Sequence, residues 1–456
     1  MTHEPWLDPR VLAGFAAGRT YRRDAAIRQH AAGTDASAAE RTHLTNLVGR
    51  LARRARARHP GYAALYAGLP EDLAAADLPV LSRTFVAEHE DAFLAAAGVK
   101  QRSAERFLDR PFALGSRYDD DLLMFTSSGS SGRRKIIPAR LEEFARSTEA
   151  FHTRVLRPVG ARRLLYVGLA DRHNGGNAWM FYLRGLLDVR IVDAFTDPAR
   201  LTEIVLQYQP DVILTRPRLL GAVAKQAAAR GRQLPKARLI SVGEHLSAAQ
   251  ADSITAAWGS APHNSYSTVE TGPIGFQSAP ERAVLDVYTD LSLVEVLAAD
   301  GRPITEPGVP GRLVVSTVYA DRLPYLRYEV GDAVAWADAE LTRLTFPFGR
   351  LDEGLEVAAG GTRVLVPEKE LAVLSLPGIR QFQIVQRAPS WLEVRYEAAE
   401  QEWPRLDQLI VASLRELLAR YGADALEVSA LPTSLLAPDR ATGKLKRVVR
   451  AVDGQP

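Results

Sequence analysis

Residues 122–138 read LLMFTSSGSSGRRKIIP: an apolar run, a stretch of hydroxyls and glycines, three cations, then apolar residues again. Leu122 to Phe125 have the character of a short buried strand, and Ile136, Ile137 and Pro138 resume extended structure directly after the basic triplet. What lies between is suited to holding an anion. Thr126, Ser127, Ser128, Ser130 and Ser131 offer hydroxyl donors, Gly129 and Gly132 let backbone N–H groups come close to a ligand, and Arg133, Arg134 and Lys135 bring positive charge. Polyphosphate is the guest this chemistry fits. The spacing is not that of a Walker A loop, because Ile136 rather than a hydroxyl residue follows Lys135. A Ser/Gly run standing alone is as often a linker, and it is the extended segments on both sides that argue against one.

Working outward, 456 residues exceed one ordinary core and point to two or three domains. With 46% apolar and 24% charged residues the composition is that of a globular protein. A net charge of +3 over this length gives no argument for nucleic acid. The absence of cysteine excludes disulfides, thiolate zinc sites and a cysteine nucleophile, and fits a reducing compartment. The N-terminus lacks the order of a signal peptide and no apolar run reaches membrane-spanning length, so the expectation is a cytoplasmic protein with no membrane or nucleic-acid partner.

Upstream, residues 1–40 are rich in Ala and Arg and give weak signals, whereas Leu44, Leu47, Val48, Leu51, Ala52 and Ala55 mark one helical face that ends at His59, Pro60 and Gly61. A short apolar segment over 78–81 and one helix over 85–93 come next. Downstream, a helix over 141–155 and a strand over 164–169 lead to a polar turn, Asp171 to Asn177, and an apolar helix over 178–187. That turn stands where open α/β sheets bind ligands, and it is equally a helix start capped by Asn174 or Asn177. Strands and helices alternate to Val242, as in a mainly parallel sheet covered on both faces. From Val284 strand-like pieces separated by Gly and Pro describe a β-rich subdomain, and the last hundred or so residues a small α+β unit.

Four further stretches follow the loop in order: SVGEHL (241–246), NSYSTVETG (264–272), PYLRYEVGD (324–332) with FGRLDEG (348–354), and DRATGKLKRV (439–448). With the loop, and with LPVLSRTFVAEHEDAF (78–93) ahead of it, this series resembles the adenylate-forming acyl-CoA synthetase superfamily, in particular its phenylacetate-CoA ligase branch, over residues 40–450. The resemblance implies an N-terminal adenylation core over 1–351 and a mobile C-terminal domain over 352–456. Thr126, Ser127, Ser128, Gly129, Ser130, Ser131, Gly132 and Lys135 are then the cradle for the ATP phosphates. Gly243 and Glu244 lie along the adenine, and Tyr266 packs near the base and the acyl site. Glu270 binds Mg²⁺, a hard cation that prefers carboxylate oxygen. Asp332 accepts from the ribose hydroxyls, Arg350 assists there, and Asp352 is the hinge. Lys444 is the mobile catalytic lysine that meets the α-phosphate in the transition state. His173, Trp179, His245 and Tyr266 are candidates for the acyl pocket.

The implied reaction is ATP- and Mg²⁺-dependent activation of a carboxylate, an aromatic acid first among the candidates, as acyl-AMP with release of pyrophosphate, then transfer to CoA. Transfer to a carrier-protein thiol or a nitrogen nucleophile, activation of another oxyanion, and a nucleotide-binding protein without catalysis are the alternatives. Three departures bear on them. Ser267 replaces the usual glycine, Val269 replaces the usual hydroxyl residue before the glutamate, and AAGGTRVLVP (358–367) is about three residues longer than its counterpart in that branch.

Overall fold

The computed structural model describes residues 8–111, 113, 115–127, 135–170, 173–280, 283–320, 322–345, 349–350, 354–359, 362–438 and 445–450. The chain opens with two long helices, α1 (Pro9–Ala32) and α2 (Ala36–Arg58). Asp8 caps α1 by accepting from the Arg10 backbone at 2.9 Å, and Pro9 starts it without losing a bonded N–H. Four short helices follow: α3 (Pro60–Leu65), α4 (Arg83–Glu88), α5 (Glu90–Ala96) and α6 (Gln101–Leu108). The single helix expected over 85–93 is therefore two, parted at His89, whose non-helical ψ of 24° turns the chain.

Strand β1 (Leu122–Ser127) pairs antiparallel with β2 (Lys135–Arg140), Ser127 opposite Lys135, so the anion loop joins the two arms of a hairpin. Helix α7 (Leu141–Phe151) begins at once after β2 and packs along α1. Then comes the alternation read from the sequence: β3 (Arg163–Gly168), α8 (Gly175–Leu183), β4 (Asp188–Asp193), α9 (Pro198–Tyr208), β5 (Val212–Thr215), α10 (Pro217–Ala229), β6 (Arg238–Val242), α11 (Ala248–Trp258) and β7 (His263–Thr268). These five strands lie parallel in the order β7-β6-β5-β3-β4. Strands β8 (Gly272–Phe276), β9 (Val284–Val287) and, later in the chain, β13 (Arg343–Thr345) extend the same sheet antiparallel to eight strands.

Side chains alternate across the parallel strands, as a period of two requires. Leu165, Val167, Ile213 and Leu239 face α9, α10 and α11, while Leu164, Tyr166, Val212, Leu214 and Ile240 face α7 and α8. A second sheet of β10 (Ser292–Leu297), β11 (Gly311–Thr317), β12 (Tyr328–Val334) and β14 (Gly349–Arg350) is antiparallel and packs against α2, whose Leu44, Val48, Leu51, Ala52 and Ala55 enter its core. The fold is thus α/β, with a mainly parallel sheet covered by helices and a β-rich subdomain beside it.

Beyond β14 the composition of the core changes. Strands β15 (Gly354–Ala359) and β16 (Thr362–Pro367) form a hairpin; β17 (Gln381–Ala388), β18 (Trp391–Glu397), β19 (Glu427–Pro432) and β20 (Val448–Arg450) form a sheet covered by α12 (Trp403–Arg420). The apolar cluster they share runs from Leu355 to Val428 and takes no described residue from the sheets before it.

Candidate active site

The hairpin, the end of β7 and the start of β12 meet at one point. Lys135 Nζ stands 3.4 Å from Glu270 Oε1 and donates to the Tyr328 hydroxyl at 3.1 Å, and Tyr328 in turn donates to the same Glu270 oxygen at 3.2 Å. Burial and the neighbouring carboxylate push the Tyr328 phenol far above its ordinary range, so it stays protonated and serves as a donor. Both partners converge on Oε1. Glu270 Oε2 keeps no hydrogen-bond partner among the described residues.

Tyr328 is held there by its neighbours. Leu81 pairs with it in a short parallel bridge, its N–H donating to Arg327 O at 2.9 Å and its carbonyl accepting from Glu329 at 3.0 Å. This gives the apolar segment over 78–81 its role. Arg327 takes a left-handed φ of 47°, unusual for a side chain of its size. The strain is compensated by burial with Glu295, which accepts from Nε and NH2 at 3.1 Å each, and by the Leu78 carbonyl. The pair Arg327–Tyr328 stands inside the PYLRYEVGD stretch, whose resemblance implies a role for Asp332 alone. A basic and an aromatic residue, parted from Gly331-Asp332 by Glu329 and Val330, are the available signal.

Four residues on, Asp332 is buried and accepts from the Tyr266 hydroxyl. Gly331 before it has φ 93°, a conformation glycine adopts freely. Asp332 lies opposite Arg350 in the β12–β14 register, which brings those two backbones side by side; the Arg350 side chain, like that of Ser127, is outside the described set. Tyr266 and Glu270 bracket the turn into β8, and Val269 between them packs against the cluster of Phe125, Phe144 and Trp179. An apolar contact thus accounts for the missing hydroxyl at 269. Ser267 falls at a register shift between β7 and β8.

Thr126 N donates to His173 O at 3.0 Å, tying the hairpin to the turn before α8. That turn is a capped helix start: Asn174 accepts from Asn177 N at 2.9 Å. The His173 ring lies 3.2 Å from Arg110 O and 4.9 Å from the Phe107 ring; burial pulls its pKa below the ordinary value against that hydrogen bond. Trp179 stacks on Phe151 at 5.1 Å, its indole Nε1 buried without a partner among the described residues. Gly243, with φ 74°, and Glu244 follow β6 on the same edge of the sheet, and His245 there faces Arg447 of the C-terminal unit. Of the expected site, Lys135 meets Glu270, Tyr266 meets Asp332 beside the Arg350 backbone, and Thr126 lies in the strand paired with that of Lys135. Ser128 to Gly132, Asp352 and Lys444 lie outside the described residues.

The described residues contain no group of three metal-ligating side chains. Glu270 Oε2, with no hydrogen-bond partner among the described residues, suits a cation that takes most of its ligands from phosphate and water, as Mg²⁺ does. No described helix is long and apolar enough to cross a membrane.

The chain belongs to the AMP-binding enzyme family, whose sequence pattern matches residues 67–319, over half its length. It is similar to the phenylacetate-coenzyme A ligase of Thermus thermophilus, 26% identical over 316 residues that make up 62% of this chain and 68% of that one. Its fold is similar to that of a 2-hydroxyisobutyryl-CoA ligase solved in the post-adenylation state with an acyl-AMP, with TM-score 0.62 and 17% identity over 92% of this chain and 90% of that one. An open form of the same ligase with acyl-AMP and CoA gives TM-score 0.54 at 17% identity, over 90% and 92% of the two chains.

Proposed function

We propose that the protein activates a small, preferentially aromatic carboxylic acid with ATP and passes the acyl group to the thiol of CoA. The observation that carries this reading is the convergence of Lys135, Glu270, Tyr328, Tyr266 and Asp332 from three separate stretches of sequence. In this reading the hairpin loop with Thr126 and Lys135 holds the β- and γ-phosphates, and Asp332 exchanges the Tyr266 hydroxyl for those of the ribose. Glu270 would hold Mg²⁺ through its open oxygen, and the ion when bound would neutralise charge on the phosphates. Lys135 then leaves Glu270 for phosphate, a change of partner between two anions that keeps its own charge satisfied.

The carboxylate oxygen attacks the α-phosphorus, the bond to pyrophosphate breaks, and Lys444 stabilises the charge of the crowded transition state. The thiol sulfur next attacks the acyl carbon, AMP leaves, and the thiol proton passes to solvent. Trp179, with Phe144 and Phe151 beside it, supports an aromatic acyl group, and the likeness to a phenylacetate-coenzyme A ligase points the same way. We place the boundary between the adenylation core and the mobile domain at 351/352, between β14 and β15, where the shared apolar cluster begins.

Purified protein given ATP, Mg²⁺, CoA and a panel of aryl and short aliphatic acids tests this. Acid-dependent pyrophosphate release with thioester formation is expected, and Lys444→Ala should lower it at least ~100-fold while ATP still binds. Pyrophosphate release without thioester would move the acceptor to a carrier-protein thiol or an amine. No release with any acid would overturn the reading.

A further inference from the structure

The seam between the large lobe and the C-terminal unit is polar along its described length. Glu244, its side chain 5% exposed, sits between Arg218 Nε at 3.2 Å and Arg216 Nε at 3.5 Å. Its Oε1 also accepts the backbone N–H of Leu445, the residue that follows Lys444, at 3.3 Å. Three positions on, Ser247 caps α11 by accepting from Gln250 N and donates its own proton to Arg380 O at 3.0 Å. Arg218 and Lys225 bring positive charge to Glu397, which accepts from Leu436 N at 2.7 Å. No apolar cluster crosses the seam: those of the large lobe take no described residue beyond Leu344, and that of the C-terminal unit none before Leu355.

A backbone turn along adenine explains why residues 243–244 lie where they do. It does not explain a carboxylate buried between two guanidinium groups. Taking such a group out of water costs several kcal/mol; Oε1 meets both arginines, while Oε2 is buried with no partner among the described residues, so the position of the carboxylate is held from one side. The arginines fix it, and the partner it reaches from the other lobe is the chain beside the lysine.

We propose that Glu244 is a positioning residue for Lys444. Clamped by Arg216 and Arg218, its carboxylate grips the Leu445 N–H and sets the lysine-bearing segment against the large lobe in the arrangement used for adenylation. Because the seam is made of hydrogen bonds and ion pairs, the lobe can let go and turn without exposing apolar surface, and water takes over each broken bond. The inference rests on the proposed role of Lys444 for its catalytic meaning, but not for the contact itself.

The cysteine-free chain allows a direct test. Spin labels on cysteines replacing the exposed Arg232 and Glu416 report the distance between lobes by pulsed electron resonance. The otherwise native chain should give one dominant distance. Glu244→Ala should shift the balance toward a second, broader population by roughly tenfold, as expected for losing one charge-assisted bond, with Glu244→Gln in between. If Glu244→Ala fails to fold by circular dichroism, Glu244→Gln carries the test. Lys444→Ala should leave the distances unchanged while removing pyrophosphate release. Unchanged distances in both Glu244 variants would overturn the proposal. A native chain that releases no pyrophosphate with any acid would overturn the functional reading and leave the distance test standing.

Discussion

Two seams join elements to the large lobe, and they are built on opposite plans. Along α1 and α7 the backbones nearly touch: a Cβ on Gly14 would stand 2.2 Å from Glu142 O, and one on Gly18 2.6 Å from Glu149 Oε2. Arg22 reaches across to Glu149 and to Asp290 at 3.4 Å, Thr153 donates to Glu149 at 2.8 Å, and Arg154 meets Asp290 at 2.6 Å. Between the lobes, by contrast, Ser247 meets Arg380 and Glu244 meets Leu445 through single hydrogen bonds. Close small-residue packing with buried, multiply bonded charge makes a joint that stays shut. Sparse polar contacts make a weaker one, which is what the proposed movement of the C-terminal unit requires.

Perturbing the α1–α7 joint should therefore cost stability. Glu149→Ala leaves Arg22, its side chain 19% exposed, with Asp290 alone and takes away the acceptor of Thr153, and should cost about 2 kcal/mol, read from urea unfolding. Gly14→Ala, whose methyl would meet Glu142 O at 2.2 Å and Ala145 Cβ at 2.8 Å, should cost about 1–3 kcal/mol in the same experiment. Asp8→Asn tests the start of α1 and should cost about 1 kcal/mol at neutral pH. Burial raises the Asp8 pKa, but hydrogen bonds from Arg10 and Arg117 outweigh it and hold the carboxyl well below the usual range. Its stabilisation is present above the unfolded value of 3.8 and is lost as pH falls through the lower folded one, so the Asn variant should show a shallower acid transition. At the lobe seam, Ser247→Ala should change global stability by under about 1 kcal/mol. Loss of the Arg380 contact should still raise hydrogen exchange at the start of β17. A loss above 2 kcal/mol at Ser247, or none at Glu149, would erase the contrast.

How much of this could be read beforehand depended on whether the signal was local. The alternation of β3 to β7 with its helices was legible because each strand is an unbroken apolar run and each helix keeps its own period. Helix α1 was not: it buries only Val11, Phe15 and Ala25 among its larger apolar residues. Its docking depends instead on the absence of side chains at Gly14 and Gly18, which leaves no apolar pattern to find. Lys135, Tyr266, Glu270 and Asp332 stand in motifs that resemblance picks out, whereas the parts that depend on partners distant in sequence have no such signal. Nothing near Arg327 announces that Glu295 and Leu78 will hold it, and nothing near Glu244 announces Arg218 or Leu445.

Calorimetric titration of ATP in the presence of Mg²⁺ goes to the heart of the matter, since it asks whether the converging side chains form one nucleotide site without requiring that the acid be known. Lys444→Ala should bind like the native chain, while Asp332→Ala and Lys135→Ala should each weaken binding tenfold or more. Equal affinity in Asp332→Ala and the native chain would contradict the account.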